Sequence, residues 1–504
     1  MRGTTIAQGS LSQVDVICGE LLDDDGFLAT LGTARGSLFG DADFDCLYAS
    51  KRGRPSHPPS LLAALLLAQV FYGVSDREAE RRSRLDLSWK AALGLALEHR
   101  GVPHVCLVEF RARLVKAGKE AWLHGQMLNV ARQAGVIGHR RVVDSTGISD
   151  CVLTQDTVSL VRSAVRRCLS RLAEVDPGRA ATCAGSLARQ DYDEPGKPQI
   201  CWASATERAA LVNELFADAE KVAEVCGTND DVALADEVAL LKVVSAQDVE
   251  DDGQGGVRIA QGVAPERVIS VVDPEARHGH RSRRDRYDGY KLHVSVDVTS
   301  DLFMAGEATK ATTGDAGVLP ALLGADPMAV AEVIADTHYG DGETRKALAA
   351  KGIDLVAPAP PVSARDGLFN KDAFAVDLEA GTVTCPAGQV ATIAGKARRR
   401  EARFGASTCQ ACPLAPRCTK RPGGRVVTIS PNEALLAEAR KARWGPEFRQ
   451  RYRQRAQVER KNAQLKSRSS KLPWRGVAKA DSWLKLRMAA LNLDRLGKMP
   501  GLIY

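Results

Sequence analysis

Short strand-like segments lie far apart in this chain, and their separation constrains the fold more than any other feature of the sequence. These runs occupy residues 140–144, 268–272, 291–298 and 333–335. Apolar residues at helical spacing fill the long stretches before and between them. The pattern predicts the α/β class, with a core that is interrupted by insertions rather than one continuous sheet.

The first part of the chain, residues 1–137, has the texture of a compact all-α domain. An apolar helix follows Pro59, Gly73 breaks it, and Ser75 with Glu78 forms a capping-box pattern that begins the next helix. This is a helix-turn-helix-like outline. On the pattern alone, it favours DNA binding and an ordinary helical bundle equally.

The remainder, residues 138–500, is predicted to be an α/β domain with two insertions. Helical periodicity returns at about residues 151–265, and a segment rich in Pro, Gly, Ala and Arg, with four cysteines, spans about residues 357–428. A length of 504 residues allows two or three domains in all.

The distribution of charge is more informative than the net charge. The chain carries only +7 overall, but residues 449–475 hold ten Lys or Arg residues and one acid. This concentration of positive charge favours a polyanionic partner. The longest apolar run, residues 61–74, is shorter than a membrane helix, and no signal-like segment opens the chain. We therefore expect a cytoplasmic protein without membrane contact.

Four polar residues near the C-terminus share one face of a predicted helix. They are offset by 0, 3, 7 and 14 positions, which at about 100° per residue gives a narrow stripe. They are Tyr452, Arg455, Glu459 and Lys466. Arg and Lys bind phosphate oxygens, and a carboxylate between them can hold a metal ion beside the same phosphate. A solvated face with surface ion pairs is the simpler alternative.

This stripe resembles the Y-x2-R-x3-E-x6-K signature of bacterial insertion-sequence DDE transposases. Residues 144–146 and 335–340 are similar to the first and second acidic motifs of that family, and the resemblance covers nearly the whole chain. It implies a ribonuclease-H-like catalytic core with helical and cysteine-rich insertions. It also makes DNA binding the favoured role of residues 1–137.

The resemblance further implies that Asp144, Asp336 and Glu459 are the catalytic acids. They would converge on two Mg²⁺ (or Mn²⁺) ions, which activate a water or a DNA 3′-hydroxyl for attack on phosphorus. Taken singly, each Asp is more simply explained as a cap of the following turn or helix. Asp273 and Asp297 also follow strand-like residues, but they match the motifs less well.

Six residues are predicted to contact DNA, and three of them belong to the stripe. They are Tyr452, Arg455, Lys466, Arg460, Lys291 and Arg284. The segment around Lys291 resembles a Tyr-Gly-Tyr-Lys strand of the family, and Arg284 belongs to a basic cluster that a solvated loop explains equally well. His338, close to Asp336, is expected to support the metal site indirectly or to hydrogen-bond locally.

Four cysteines lie close enough in sequence to supply a set of soft metal ligands. They are Cys385, Cys409, Cys412 and Cys418, with spacings x23, x2 and x5. A structural Zn²⁺ is the favoured hypothesis, with an iron–sulfur cluster or unligated thiols as alternatives. The other cysteines are expected to be reduced, since no secretory signal is present.

Together with these features, the family resemblance implies a transposase that acts in the bacterial cytoplasm on nucleoid DNA. It would bind the terminal inverted repeats of a mobile element as a homodimer on double-stranded DNA, cleave at the ends, and transfer the 3′ ends into target DNA. Two alternatives stay open: a DNA-binding regulator without catalysis, and a metal-dependent nuclease without strand transfer.

Overall fold

The computed structural model describes residues 2, 14–19, 26–48, 55–194, 196–280, 284–362, 367–396, 399–469 and 471–502. The α-helices are α1 (Val14–Cys18), α2 (Phe27–Leu38), α3 (Pro59–Tyr72), α4 (Asp76–Leu85), α5 (Leu87–Leu93), α6 (His104–Lys116), α7 (Glu120–Gln133), α8 (Thr157–Val175), α9 (Pro177–Gly185), α10 (Ala205–Cys226), α11 (Val232–Ala246), α12 (Asp315–Gly324), α13 (Gly342–Ala349), α14 (Ala406–Gln410), α15 (Ala415–Cys418), α16 (Glu433–Ala442), α17 (Pro446–Tyr452), α18 (Ala456–Lys466) and α19 (Val477–Gly497). The strands are β1 (Arg140–Ser149), β2 (Val249–Asp251), β3 (Val257–Ile259), β4 (Arg277–His280), β5 (Arg286–Asp297), β6 (Phe303–Lys310), β7 (Glu332–Ile334), β8 (Asp354–Val356), β9 (Ala375–Asp377), β10 (Thr382–Thr384), β11 (Val390–Lys396), β12 (Arg399–Arg403) and β13 (Val426–Ile429).

A six-stranded mixed sheet contains β1 as its central strand. On one side β1 pairs with antiparallel β5, and on the other it pairs with parallel β7, which is followed by parallel β8. The first residues of β5 pair with β4, and the later residues pair with antiparallel β6. The strand order β6, β5, β1, β7, β8, with helices around it, confirms the predicted α/β class.

Strand β1 is longer than the sequence predicted. The prediction placed a turn directly after Asp144, but the strand continues to Ser149 and is paired with β5 along the extra length. Turn-prone residue types do not end the strand here, because β5 supplies hydrogen-bond partners throughout. Gly147 is required by close approach, since a Cβ atom there would overlap the ring of Tyr287.

Residues 268–272 do not form the predicted strand. Their apolar spacing reflects packing, because Val268 and Val271 are buried against the helices of the first insertion. Side chains replace a neighbouring strand as partners of the backbone. Gln247 bonds both the N–H and the C=O of Val268, and Gln155 Oε1 accepts a hydrogen bond from the N–H of Val271.

One hydrophobic core joins the N-terminal helices to the sheet. Helix α19 contacts α2, α3 and α7 as well as β6, and its residues Leu484 and Met488 are fully buried. The predicted start of α4 is confirmed, since Ser75 Oγ accepts a hydrogen bond from the N–H of Glu78. In the described part of the chain, no single helix is long and apolar enough to cross a membrane, although α3 and α4 reach that length together as a pair bent by 113°.

The two segments predicted as insertions have hydrophobic cores of their own. Helices α8 to α11 and the β2–β3 hairpin enclose a separate apolar cluster. The cysteine-bearing segment forms a five-stranded antiparallel sheet in the order β13, β12, β11, β10, β9, which packs around Phe374, Phe404 and Val383.

Candidate active site

The parallel pairing of β1 and β7 brings Asp144, within β1, close to Asp336, just beyond the end of β7. In the register between β1 and β7, Val142 lies opposite Ile334. Asp144 and Asp336 each follow two residues later. Because side chains alternate across a strand, both carboxylates lie toward the same face of the sheet. The negative charge of Asp336 contributes to the raised pKa of Asp144, which agrees with their proximity.

The carboxylate of Asp144 is nearly buried, with 8% of the residue exposed. Asn462 Nδ2 donates a hydrogen bond to its Oδ2 at 3.1 Å, and Arg455 Nη2 lies 3.6 Å from the same oxygen. Burial raises the pKa of Asp144 to about 6, although the charge of Arg455 opposes the shift. With this pKa the carboxyl is largely ionised near neutral pH, and the ionised form is the one that can bind a cation.

Asp336 lies two residues after the end of β7 and caps the 3-10 turn Thr337–Tyr339. Its Oδ1 accepts a hydrogen bond from the N–H of His338 at 2.8 Å, and His338 Nδ1 lies 3.0 Å from Oδ2. The side-chain hydrogen bond raises the pKa of His338. The turn therefore fixes one oxygen of Asp336 through the backbone, and the exposed imidazole contacts the other.

Glu459 lies on α18, and its side chain is 56% exposed. Arg455 Nη1 donates a hydrogen bond to Glu459 Oε1 at 2.6 Å while Nη2 faces Asp144. Burial lowers the pKa of Arg455, but the carboxylates around it more than offset this and leave the pKa above its usual range. The guanidinium therefore lies between the acid on β1 and the acid on α18.

The acids suit a divalent cation in chemistry, but they do not converge on one point. Carboxylate oxygens are the ligands that Mg²⁺ prefers. Within the described ranges, no group of three His, Cys, Asp or Glu residues is placed to hold a metal ion. Arg455 supplies the positive charge between the acids instead. Cation binding would require Arg455 to leave this position and the exposed Glu459 side chain to turn inward.

Three residues at this site were missed by the sequence analysis. Asp315, at the start of α12, is nearly buried, and its charge adds to the effect of burial in raising the pKa of Asp144 and of Tyr339. Tyr339 is buried, and its hydroxyl has no hydrogen-bond partner among the described residues. Asn462 lies three positions after Glu459, on the same helical stripe, so the periodicity that selected the stripe also marks Asn462.

Of the six predicted DNA contacts, several have internal partners. Lys466 Nζ donates to Thr146 Oγ1 at 2.8 Å, and Lys291 Nζ lies 3.0 Å from Asp315 Oδ1. The ring of Tyr452 stacks on a neighbouring aromatic ring. Arg460 and Arg284 are exposed. Both guanidinium groups are therefore at the surface, and Lys466 and Lys291 would have to exchange partners to bind a phosphate.

The competing acids Asp273 and Asp297 are bonded to partners inside the fold. Asp297 is fully buried and forms a 2.6 Å ion pair with buried Arg141. Asp273 accepts hydrogen bonds from the hydroxyl of Tyr290 at 2.6 Å and from the N–H of Gly476 at 3.1 Å. Both acids hold elements together inside the fold.

The four clustered cysteines line a single cavity in the five-stranded sheet region. They are Cys385, Cys409, Cys412 and Cys418, and all are free thiols. Burial raises the pKa of Cys418, and the charges of the other three thiols act in the same direction. The cavity wall is otherwise largely apolar, with Phe369, Phe404 and Leu414 among its residues.

Two families of known proteins match parts of the chain. Residues 384–497 match the family described as "Transposase DDE domain", and this range includes the cysteines, the stripe and α19. Residues 19–113 match the family described as "Transposase domain (DUF772)", and this range covers the helices from α2 to most of α6. No curated protein and no solved structure matches the chain.

Proposed function

We propose that the chain acts as an insertion-sequence DDE transposase, an enzyme that cleaves DNA and transfers strands, as its two transposase family matches support, and that Asp144, Asp336 and Glu459 form its catalytic acid set. In this proposal the enzyme binds the terminal inverted repeats of its element, cleaves at the ends and joins the 3′ ends to target DNA. Two copies act together on paired ends.

The catalytic domain is proposed to be ribonuclease-H-like. The arrangement of the strands supports this. Strands β1, β5 and β6 are neighbours in the sheet and pair antiparallel, whereas β7 and β8 lie on the other side of β1 and are parallel to it. The parallel strands β1 and β7 deliver the first two acids to neighbouring positions. Helix α18 contacts β1 and carries the third acid.

The single observation that carries the proposal is the adjacency of Asp144 and Asp336, with Glu459 joined to Asp144 through Arg455. These acids would hold two Mg²⁺ or Mn²⁺ ions, which supply activation of the attacking oxygen and stabilisation of the leaving oxygen. Arg455 and Lys466 would then exchange their present partners for phosphate oxygens of DNA. Arg460 and Arg284 would add contacts from the surface.

The proposal is tested by cleavage and joining of a labelled DNA that carries the ends of the element, with Mg²⁺ or with EDTA. We expect Asp144→Asn, Asp336→Asn and Glu459→Gln each to lower both activities by at least about 100-fold, while binding of the ends is kept. Glu447→Gln is the matched control, because Glu447 is an acid on neighbouring α17 with an 84% exposed side chain.

The products separate the proposal from its alternatives. Metal-dependent joined products that vanish in all three variants, but not in the control, support it. Cleaved ends that are never joined would indicate a nuclease, and an unimpaired Glu459→Gln variant would remove Glu459 from the acid set.

A structural Zn²⁺ at the four cysteines is a separate part of the proposal. It is supported by the four thiols around one apolar cavity, since thiolates are preferred zinc ligands. Their side chains would have to turn toward a common point, because no metal-holding group is formed by the described residues as they lie. The zinc content of the purified protein decides this part.

A further inference from the structure

The side-chain amide of Asn462 is only partly hydrogen-bonded within the site. The residue is 5% exposed, and its Nδ2 donates a hydrogen bond to Asp144 Oδ2 at 3.1 Å. Its Oδ1 is buried and has no hydrogen-bond partner among the described residues. A buried acceptor without a donor is costly and rare in folded proteins. The amide is thus bonded to the acid on one side and open on the other.

The orientation of this amide follows from chemistry. An ionised carboxylate can only accept hydrogen bonds, so the NH₂ group of Asn462 must face Asp144. The carbonyl oxygen then has to point elsewhere. Two more buried polar atoms, on residues whose electrostatics include Asp144, also have no partner within the described ranges: the hydroxyl of Tyr339 and Nε of Arg455. Unsatisfied polar groups from three elements therefore collect around one acid.

A second buried asparagine shows how the same fold treats a purely structural amide. Asn492 on α19 is fully buried. Its Oδ1 accepts from the N–H of Phe303 at 2.9 Å, and its Nδ2 donates to the C=O of Phe303 at 2.8 Å. Both ends of that amide are used within the fold. The open acceptor of Asn462 is therefore a property of its site.

We propose that Asn462 is a positioning residue, which orients Asp144 through Nδ2 and accepts a hydrogen bond through Oδ1 from water bound to the catalytic cation. This inference rests on the proposed role of Asp144 as a cation ligand. A neutral amide suits the task because it is donor and acceptor at once. An aspartate in its place would repel Asp144, and a leucine would bond neither partner.

The test is the affinity of full-length protein for Mn²⁺, measured by electron paramagnetic resonance without DNA. We expect Asn462→Leu to bind Mn²⁺ at least about 10-fold more weakly than the wild type, as is usual when a residue that orients a metal ligand is lost. Asn492→Leu is the matched control. It removes a buried amide of equal size, so it should lower the thermal unfolding midpoint without changing the Mn²⁺ affinity.

Asp144→Asn separates failure of this inference from failure of the proposed function. If Asp144→Asn binds Mn²⁺ like the wild type, the proposed metal site is wrong. If Asp144→Asn loses Mn²⁺ binding but Asn462→Leu keeps wild-type affinity, the positioning role of Asn462 alone is overturned. Should Asn462→Leu not fold, Asn462→Ala is measured in the same way, and wild-type affinity in that variant overturns the inference equally.

Discussion

At the scale of single residues, a buried pair of acids makes stability depend on pH. The carboxyl of Asp150, just after the end of β1, faces that of Asp273. Burial raises the pKa of Asp150 from 3.8 to about 6, and the hydrogen bond and charge of Asp273 add to the shift. Oδ2 of Asp150 is buried and has no hydrogen-bond partner among the described residues, so no donor there stabilises its ionised form.

The sign follows from the direction of this shift. The pKa is higher in the folded protein than in the unfolded chain. The stabilisation that protonated Asp150 provides is therefore fully present below about pH 4 and is lost as the pH rises through about 6. Asp150→Asn keeps a donor toward Asp273 without a titrating proton. We expect it to be more stable than the wild type at pH 7.5, by about 1–3 kcal/mol, and similar at about pH 4.5. Thermal unfolding midpoints of both proteins across this range check it, and a constant difference would contradict it.

Sequence motifs selected the proposed catalytic acids, whereas their neighbours could not be found in that way. Metal binding requires carboxylates, and Asp144, Asp336 and Glu459 lie in segments that resemble the acidic motifs of the family. The partner of Asn462 lies 318 positions away in sequence. Only the fold reveals that contact. The same holds for Asp315. Its charge contributes to the raised pKa of Asp144, but no sequence motif marks the helix that carries it.

At the scale of elements, Gly289 is the residue that allows β5 to pair with three neighbouring strands. It ends the pairing with β4, lies opposite Ser149 of β1, and precedes the first residue that pairs with β6. Its φ of +151° is unfavourable for other residues. A Cβ atom here would collide with the C=O of Ile148 and lie 2.6 Å from the backbone nitrogen of Asp150.

We therefore expect Gly289→Ala to destabilise the protein by at least about 2 kcal/mol. Gly317 is the matched control, because it lies inside α12 and a Cβ atom there would meet no heavy atom within 4 Å. Gly317→Ala should stabilise the protein slightly, by about 0.5–1 kcal/mol, as alanine replaces glycine in a helix. Thermal unfolding of both variants decides the matter, and equal effects would show that backbone approach at Gly289 is unimportant.

The type of an element could be predicted where its apolar residues repeat with one period. The prediction failed where side chains, rather than a neighbouring strand, bond to the backbone. The apolar run of α3 gave the correct helix, but residues 268–272 have a strand-like pattern and no strand. The backbone groups of Val268 and Val271 bond to two glutamine side chains, which no local sequence pattern indicates. The predicted helical stripe is interrupted by a 3-10 turn at Arg453–Arg455. Arg455 and Glu459 nevertheless lie on the same side, because they form an ion pair with 2.6 Å between Nη1 and Oε1.

At the scale of the whole molecule, the packing of the core differs between the two helical regions. The N-terminal helices share one hydrophobic core with the sheet and with α19. Helices α8 to α11 enclose their own core, and the two ends of that segment meet where the N–H of Gln155 donates to the C=O of Ile269 at 2.9 Å. Close ends are what allow a segment to be inserted without disturbing its host.

Two excised fragments should therefore behave differently. Residues 154–272 keep their whole apolar cluster, so we expect the fragment to fold alone and to melt cooperatively. Residues 26–137 lose the contacts of α3 and α7 with α19, which exposes apolar faces to water, so we expect no cooperative transition. Circular dichroism during heating distinguishes the two. A cooperative melt of residues 26–137 would mean that the N-terminal helices form an independent domain, as the sequence alone suggested, and that α19 merely covers it.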